Sequence, residues 1–303
     1  MTHHAPITAD RWLSEGQNAE FALAYPAQSA AVHHRLQHHP LFALDALADL
    51  AGRLPESHVE HSRGDLSVDQ DPSAIRQEAL PPAEIVRTIA TNRCWMVLKK
   101  VDADPAYAAL IDQCLGEIAD VVTPATGAYL RREAFIFISA PNSVTPFHMD
   151  PEHNILLQIA GQKTMRVYPA GDDRIVPQEV HEAFHQGGRH RNMRHDPSFD
   201  AHARDFVMHA GDAVYVPVKA PHWVQNGPEP SISFSITWRS RLSDAEARVH
   251  RVNAGLRKVG LTPGAVGAAP AVDAAKVALH KAGKTATGVV KRVIGKGRDR
   301  SAY

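Results

Sequence analysis

Cysteine is scarce in this sequence, and its positive and negative charges cancel. Only Cys94 and Cys114 occur among 303 residues, both in apolar stretches, so we expect two buried, reduced thiols and no disulfide framework. Lys and Arg together number 33, as do Asp and Glu, which gives a formal net charge of zero. A neutral chain has no overall field to attract nucleic acid, so nucleic-acid binding is not expected.

Long apolar runs are also missing. Nowhere do about 18 consecutive apolar residues occur, the length that a membrane-spanning helix needs. The segment MTHHAPITADRW lacks the basic region and apolar run of a secretory signal. Because 44% of the residues are hydrophobic, the chain can bury a full core, and we expect a folded, cytoplasmic protein without a membrane span.

The hydrophobic pattern divides the chain into parts. Residues 1–127 contain amphipathic helical segments at 41–55 and 103–122, with a β-prone run between them, and are predicted to form an α+β region that packs on a barrel. Residues 128–241 contain short β-prone runs separated by Gly, Pro and Asn, which is typical of a barrel or sandwich. A polar insertion at 171–203 interrupts them and is a candidate lid.

Residues 242–303 are predicted to form a C-terminal helix and a basic, flexible tail. Ser243 and Glu246 have the spacing of a capping box, which predicts that the helix begins there. The apolar stripe of this helix could be buried in a homodimer, which we expect, or on the N-terminal helices around Leu44 and Ile111. The stripe consists of Val249, Val252, Leu256 and Val259.

The segment TPFHMDPEHN places an imidazole and a carboxylate two positions apart. Because side chains alternate along a strand, His148 and Asp150 would point to the same face. A His-x-Asp pair can also be a surface ion pair. A histidine from a distant strand, His222, would complete a two-His-one-carboxylate set, which leaves positions open and suits non-haem Fe(II). We therefore predict that His148, Asp150 and His222 bind one metal ion and form the catalytic centre.

Two segments carry a more specific pattern. In VTPFHMDPEHNILLQIAGQK, the run Val-Thr-Pro-x-His-x-Asp is followed by Asn154, Gln158, Gly161 and Lys163. In GDAVYVPVKAPHWVQN, the spaced residues are Gly211, Pro217, His222 and Asn226. These segments resemble the Jumonji-C and cupin-like oxygenases, among them the asparaginyl hydroxylase that acts on hypoxia-inducible factor. The resemblance covers roughly residues 128–240. It implies a mainly β fold with flanking helices, a double-stranded β-helix of the cupin or jelly-roll type.

The resemblance also implies a cofactor, a co-substrate and a reaction. Fe(II) would be held by the triad, and 2-oxoglutarate and O2 would occupy its open positions. Lys163 would bind the distal carboxylate of 2-oxoglutarate, Thr145 would add a hydrogen bond, and Asn154 would line the pocket. The reaction would be hydroxylation of an unidentified protein, peptide or small molecule, with release of succinate and CO2.

The sequence departs from the family pattern at two positions. Lys219 stands where the family usually has a glycine. This departure weakens the prediction of the local turn geometry but not that of His222 as a metal ligand. Ser235 stands where the family often has asparagine in the pocket, and its shorter side chain can still hydrogen-bond through a water molecule.

Two other functions fit a barrel of this type. One is a cupin metalloenzyme that does not use 2-oxoglutarate, against which Lys163 and Thr145 argue. The other is a non-catalytic or regulatory binding module, against which the intact triad argues. Fold alone does not decide between them.

Most of the remaining histidines have an ordinary interpretation. His153 is predicted to lie at the surface or next to the metal ligands, because the triad is complete without it. The insertion histidines are predicted to be solvated, and they are His181, His185, His190, His195 and His202. Trp223 and Trp238 are predicted to pack in the barrel wall.

Overall fold

The structure is a computed structural model that describes residues 11–14, 16–63, 80–187 and 193–283. The helices in these ranges are α1 (Gln17–Ala24), α2 (Leu44–Arg53), α3 (Pro82–Arg87), α4 (Pro105–Glu117), α5 (Ala119–Thr126), α6 (Gln178–His185) and α7 (Arg241–Lys258), and residues 270–283 are also helical. The strands are β1 (Ala30–His33), β2 (Val59–Arg63), β3 (Cys94–Lys99), β4 (Leu130–Ser139), β5 (Val144–His148), β6 (His153–Ala160), β7 (Lys163–Val167), β8 (Arg204–Met208), β9 (Asp212–Val216), β10 (His222–Asn226) and β11 (Ser231–Arg239).

The strands form two antiparallel sheets. The larger has seven strands in the order β1-β9-β6-β11-β4-β3-β2, and the smaller has four in the order β5-β10-β7-β8. An apolar cluster inside the barrel joins the sheets, with Leu156 and Val214 from the larger and Met165 and Val224 from the smaller. Two sheets that close over a shared interior form a jelly-roll, and the predicted double-stranded β-helix is confirmed.

The N-terminal region contributes more than a layer on the barrel. Strands β1, β2 and β3 are part of the seven-stranded sheet, because β1 pairs with β9 and β3 pairs with β4. The helical segments predicted from the apolar stripes are present as α2, α4 and α5. Their buried residues, such as Leu50 and Ile111, join Phe234 and Trp238 of β11 in one large apolar core on the outer face of the sheet. This core holds the strands whose opposite face lines the barrel.

A tight turn between β6 and β7 carries the chain from the larger sheet to the smaller one. Gly161 has a positive φ of 71°, and a Cβ atom added there would lie 2.2 Å from the backbone oxygen of Pro230. Only glycine fits this position, because a side chain would meet both strain and a backbone clash. Gly161 therefore fixes the point at which β7, and with it Lys163, begins.

The chain separates into two compact units. The first comprises Met1–Gly171 and Arg191–Arg241, and the second comprises Asp172–His190 and Leu242–Tyr303. The predicted insertion is thus divided, since its first half belongs with α7 and its second half with the barrel.

Helix α7 begins at Arg241, so Ser243 lies inside the first turn and the predicted start at Ser243 is wrong. The basic tail from residue 284 onward lies outside the described residues.

No helix in the described ranges is both long and apolar enough to cross a bilayer.

Candidate metal centre and co-substrate pocket

The three predicted metal ligands converge inside the barrel. His148 ends β5, His222 begins β10, and the two residues are directly paired across these strands. Asp150 lies two residues beyond β5, with its Oδ2 3.8 Å from Nε2 of both His148 and His222. One ligand atom from each of the three residues lies within 4.8 Å of the other two. This spacing suits a single ion, since ligands at about 2 Å from a metal lie roughly 3 to 4 Å apart.

The backbone fixes which nitrogen each imidazole presents to this centre. Nδ1 of His148 lies 2.7 Å from the carbonyl oxygen of Pro146, and Nδ1 of His222 lies 3.0 Å from that of Ala220. A carbonyl oxygen only accepts hydrogen bonds, so both Nδ1 atoms carry the proton and donate. The Nε2 atoms, which face Asp150, therefore keep the lone pair that a metal needs.

The turn before β10 also holds Asp150. The backbone N–H of Lys219 donates to the carbonyl oxygen of Asp150 at 2.8 Å. Lys219 adopts a positive φ of 64°, the conformation that favours glycine. This turn is thus formed by lysine at the position where the sequence departs from the family's usual glycine.

Lys163 lies on the same interior face as the metal ligands. It pairs with Asn226 across β7 and β10, four pairs along from His222 and Val167, and pairs that are an even number of positions apart share a face. The side chain is buried, and its ammonium makes no hydrogen bond or ion pair with any residue that the structure describes. Burial lowers the pKa of Lys163 from 10.5 to about 7. An anion bound in the barrel beside this ammonium would offset the free-energy cost of burying its charge.

Three further predicted pocket residues lie on this interior face. Thr145 is half-buried opposite Val224, across the β5–β10 pair. Ser235 Oγ donates to Asn154 Oδ1 at 2.8 Å, and both side chains are buried between β6 and β11. Ser235 thus hydrogen-bonds directly to a side chain of the neighbouring strand, and its contact with the co-substrate stays a prediction.

The interior face of β6 and β11 holds additional polar residues that the sequence analysis did not single out. Gln158 is fully buried, donates to Ser231 Oγ at 3.0 Å and accepts from Ser233 Oγ at 2.8 Å. The alternation of residue types in SISFSITW could have identified the serines, because Ser231, Ser233 and Ser235 share one face of a strand that is apolar on the other. These residues form a polar wall around the pocket.

Comparison with known proteins finds a family that this site resembles. The model of the JmjC domain matches residues 117–245, which include all three predicted metal ligands and Lys163. This part of the chain is similar to JmjC domains.

The relatives that the chain matches are distant. The chain is 24% identical over 183 residues to "Lysine-specific demethylase JMJ30" of Arabidopsis thaliana, covering 57% of this chain and 41% of that protein. It is 30% identical over 108 residues to "Jumonji C domain-containing protein 5" of Drosophila melanogaster, covering 34% of this chain and 26% of that protein. The chain thus spans less than half the length of these curated relatives.

Solved structures share the fold of this chain. YcfD of Escherichia coli, a ribosomal oxygenase solved with cobalt and 2-oxoglutarate, superposes with a TM-score of 0.50 at 14% identity, over 86% of this chain and 62% of that one. A second YcfD structure gives a TM-score of 0.52 at 17% identity, over 89% of this chain and 67% of that one. At such identities the likeness concerns the fold alone.

The second half of the predicted insertion, of which residues 193–203 are described, packs on the outer side of the strands that carry the predicted metal ligands. The N–H of Met193 donates to the carbonyl oxygen of Phe147 at 2.8 Å, directly before His148. Tyr168 OH donates to Asp200 at 2.7 Å and lies 2.9 Å from Nε2 of His195. This part of the predicted lid therefore packs on the outer face of the smaller sheet.

Several histidines differ from their predicted environments. His153 is buried on the outer side of β6, where Nδ1 lies 2.9 Å from Tyr215 OH and the ring stacks on Trp238, and burial lowers its pKa to about 3. It is neither at the surface nor beside the metal ligands, because the alternation of β6 turns it away from the barrel. His181 and His185 are buried rather than solvated, since α6 packs with α7. His202 is exposed as predicted, and His190 lies outside the described residues.

The two tryptophans lie in different surroundings. Trp238 is fully buried in the aromatic core on the outer face of β11, as predicted. Trp223 is half-buried, with its Nε1 donating to Tyr168 OH at 3.2 Å and the guanidinium of Arg166 5.4 Å from its ring. It therefore belongs to the outer support of β10 and not to the pocket.

Proposed function

We propose that this protein is an Fe(II)- and 2-oxoglutarate-dependent oxygenase. The observation that carries the proposal is the common interior face of the His148, Asp150 and His222 triad and the buried, unpaired ammonium of Lys163. A barrel that only bound a metal would have no use for a desolvated lysine, whereas a dianionic co-substrate matches it.

The donor set fits iron. Two imidazoles and one carboxylate on one side of an ion leave further positions open, as in the two-His-one-carboxylate sites of non-haem oxygenases. When bound, Fe(II) would supply the reductive activation of O2 that is coupled to the decarboxylation of 2-oxoglutarate to succinate and to the hydroxylation of a primary substrate.

The chain's own residues would bind and orient the co-substrate. Lys163 would pair with its distal carboxylate in a water-poor pocket, and Thr145 would donate a hydroxyl hydrogen bond to the same end. Asn154 would line the pocket with its amide, held in orientation by Ser235. The polar wall lies beyond these residues. The end of the pocket that faces the metal would therefore stay open for the keto acid group of 2-oxoglutarate.

The proposed primary substrate is a side chain of a protein or peptide, or a small molecule. Relatives named for lysine demethylation and a structural neighbour named for ribosomal oxygenation favour a protein target.

The decisive experiment is anaerobic titration of the metal-loaded protein with 2-oxoglutarate, followed by measurement of succinate under air with candidate substrates. We expect 2-oxoglutarate to bind only with metal present, and succinate to form. His222→Ala should abolish both, while His202→Asn, at an exposed histidine, should change neither. Metal binding without 2-oxoglutarate binding would instead indicate the other class of cupin metalloenzyme, and binding without succinate would indicate a binding module.

A homodimer through α7 is a separate proposal. Val249 is buried, but Val252 and Leu256 are only partly covered and Val259 is 73% exposed, so the stripe keeps apolar surface for a second copy. We expect a dimer mass in light scattering at tens of micromolar, and a monomer for Leu256→Glu. A monomer mass for the unmodified protein would contradict the dimer.

A further inference from the structure

Helix α6 carries a sequence that the proposed oxygenase does not use. Its residues His181, Glu182, Ala183, Phe184 and His185 read His-Glu-x-x-His. Histidines four positions apart lie on the same face of a helix, about 5 to 6 Å apart at their Cβ atoms, and this spacing on a helix is a known arrangement for binding zinc.

A third imidazole comes from α7 in the same compact unit. The ring of His250 lies 5.4 Å from that of His181 and 5.1 Å from that of His185, measured between centroids. The exposed fractions are 1% for His181, 6% for His185 and 1% for His250. A cluster of three buried imidazoles, with His250 in contact with the other two, is uncommon, since histidine is only intermediate in its tendency to be buried.

The two ring separations from His250 match those of ligands on one ion. With a Zn–N distance of about 2.0 to 2.1 Å, the centroids of tetrahedrally arranged imidazoles lie roughly 5 Å apart. The ring nitrogens of these three histidines do not all lie within 4.8 Å of one another, unlike the ligand atoms of His148, Asp150 and His222. Binding one ion would therefore require the rings to turn about χ2, which is a soft torsion in histidine, while the helices stay in place.

Glu182 distinguishes this cluster from a hydrolytic zinc site. Its Oε2 accepts a hydrogen bond from Nε of Arg257 at 2.8 Å, and the carboxylate is 2% exposed. A carboxylate bound to arginine and removed from water is a poor general base. Its Oε1 is buried and makes no hydrogen bond to any described residue, so this oxygen, on the residue that follows His181, keeps its lone pairs for an ion.

We propose that His181, His185 and His250 bind a divalent transition-metal ion of the zinc type, with Glu182 as the neighbouring carboxylate, and that this second metal joins α6 to α7. Each imidazole has two ring nitrogens, so each can bind the ion and keep a hydrogen bond through the other. The site is structural, because all its side chains are buried. It is independent of the oxygenase centre, since its ligands all lie in the second compact unit.

The test uses the full chain carrying His222→Ala, in which the oxygenase centre lacks one ligand. After loading with Zn2+ and dialysis against a chelator of micromolar affinity, we expect one zinc ion per chain by elemental analysis. Co2+ should give the intense visible absorption of a tetrahedral site. Zinc-free protein after this treatment would overturn the proposal.

Variants then locate the ion. In the same background, His181→Asn with His185→Asn should lose the zinc and the cobalt spectrum, whereas His202→Asn, at an exposed histidine, should keep both. Retention of zinc by the double variant would overturn the assignment, because other histidines would then hold it.

Hydrogen exchange gives a readout that does not depend on the variants folding. In the His222→Ala protein, Zn2+ should slow the exchange of backbone amides in α6 and in the middle of α7, because the ion closes the local opening of these helices. Exchange that is equally fast with and without Zn2+ in these helices would also overturn the proposal.

Discussion

The two faces of the β6–β11 strand pair have opposite chemistry. The outer face carries Phe234, Ile236 and Trp238 of β11, buried under the N-terminal helices. The inner face carries Ser233 and Ser235, which hydrogen-bond to Gln158 and Asn154 of β6. The outer face excludes water by packing, while the inner face keeps polar groups satisfied around a pocket. The same strands thus serve stability on one side and binding on the other.

This comparison makes outer-face and inner-face substitutions separable. Changes on the outer face should lower the free energy of unfolding and leave co-substrate affinity unaltered. Changes of inner-face residues that would contact the co-substrate should weaken its binding, with a smaller loss of stability than changes on the outer face.

Phe234→Ala should have the largest effect. Phe234 is fully buried, pairs with Ile136 and Leu157, and its ring centroid lies 5.0 Å from that of Phe42. Removing a buried aromatic ring costs about 3 to 5 kcal/mol through lost burial and the cavity left behind. Urea unfolding should report this loss, while calorimetry of the folded variant should give the parent affinity for 2-oxoglutarate. A weakened affinity in the folded variant would break the separation of the two faces.

Lys163→Met should have the converse effect. Losing a desolvated, charge-assisted hydrogen bond costs about 1.5 to 3 kcal/mol, so anaerobic calorimetry should show 2-oxoglutarate binding weakened by roughly 10- to 200-fold, with metal affinity retained. The free energy of unfolding of the ligand-free protein should not fall, because a buried, unpaired ammonium is replaced by an apolar chain of similar length. Lys99→Met, at a partly exposed lysine of β3, serves as the control. Equal affinities for Lys163→Met and the parent would contradict the role of Lys163.

The lowered pKa of Lys163, about 7, predicts a pH dependence. Above that pH the free folded protein loses the proton that a dianion requires, so 2-oxoglutarate affinity should fall about tenfold per pH unit. In the ligand-free protein, the unfolded chain binds more protons than the folded chain between about pH 7 and the ordinary lysine pKa, so this group makes stability rise with pH there. Affinity measured from about pH 6 to 9 checks the first effect. Lys163→Met should remove both trends, and a flat profile in the parent would contradict the shift.

How much of this could be predicted from the sequence depended on whether the contacts are local. The spacing of His148 and Asp150 predicted that their side chains converge, and they do, although β5 ends at His148 and Asp150 follows it. The serine alternation of β11 is equally local, but it was missed. The pairing of β1 and β3 with the barrel strands could not be predicted, because it depends on contacts between distant segments. The burial of His181 and His185 was missed for the same reason, since the partner helix α7 lies about sixty residues away.

Lys219 shows how a tertiary contact can hold a residue in an unfavourable conformation. Its backbone has a positive φ, and its N–H bonds to the carbonyl oxygen of Asp150. The tertiary contact therefore outweighs the preference of a single residue, which costs roughly 1 to 2 kcal/mol in this conformation.

Ser235→Ala should give the smallest effect and sharpens the comparison within the inner face. The hydroxyl of Ser235 donates to Asn154 at 2.8 Å, and removing it leaves a buried amide oxygen without its donor, at a cost of about 1 kcal/mol in unfolding free energy. Ser233→Ala is the matched control, because Ser233 donates to Gln158 at the same distance of 2.8 Å. We expect a similar loss of stability in both variants, but a weakening of 2-oxoglutarate binding, by a few-fold, only in Ser235→Ala, since Asn154 would line the co-substrate pocket. Chemical unfolding and anaerobic calorimetry on the two variants measure these quantities side by side. Equal 2-oxoglutarate affinities in the two variants would show that Ser235 and Asn154, like Ser233 and Gln158, only hydrogen-bond within the polar wall.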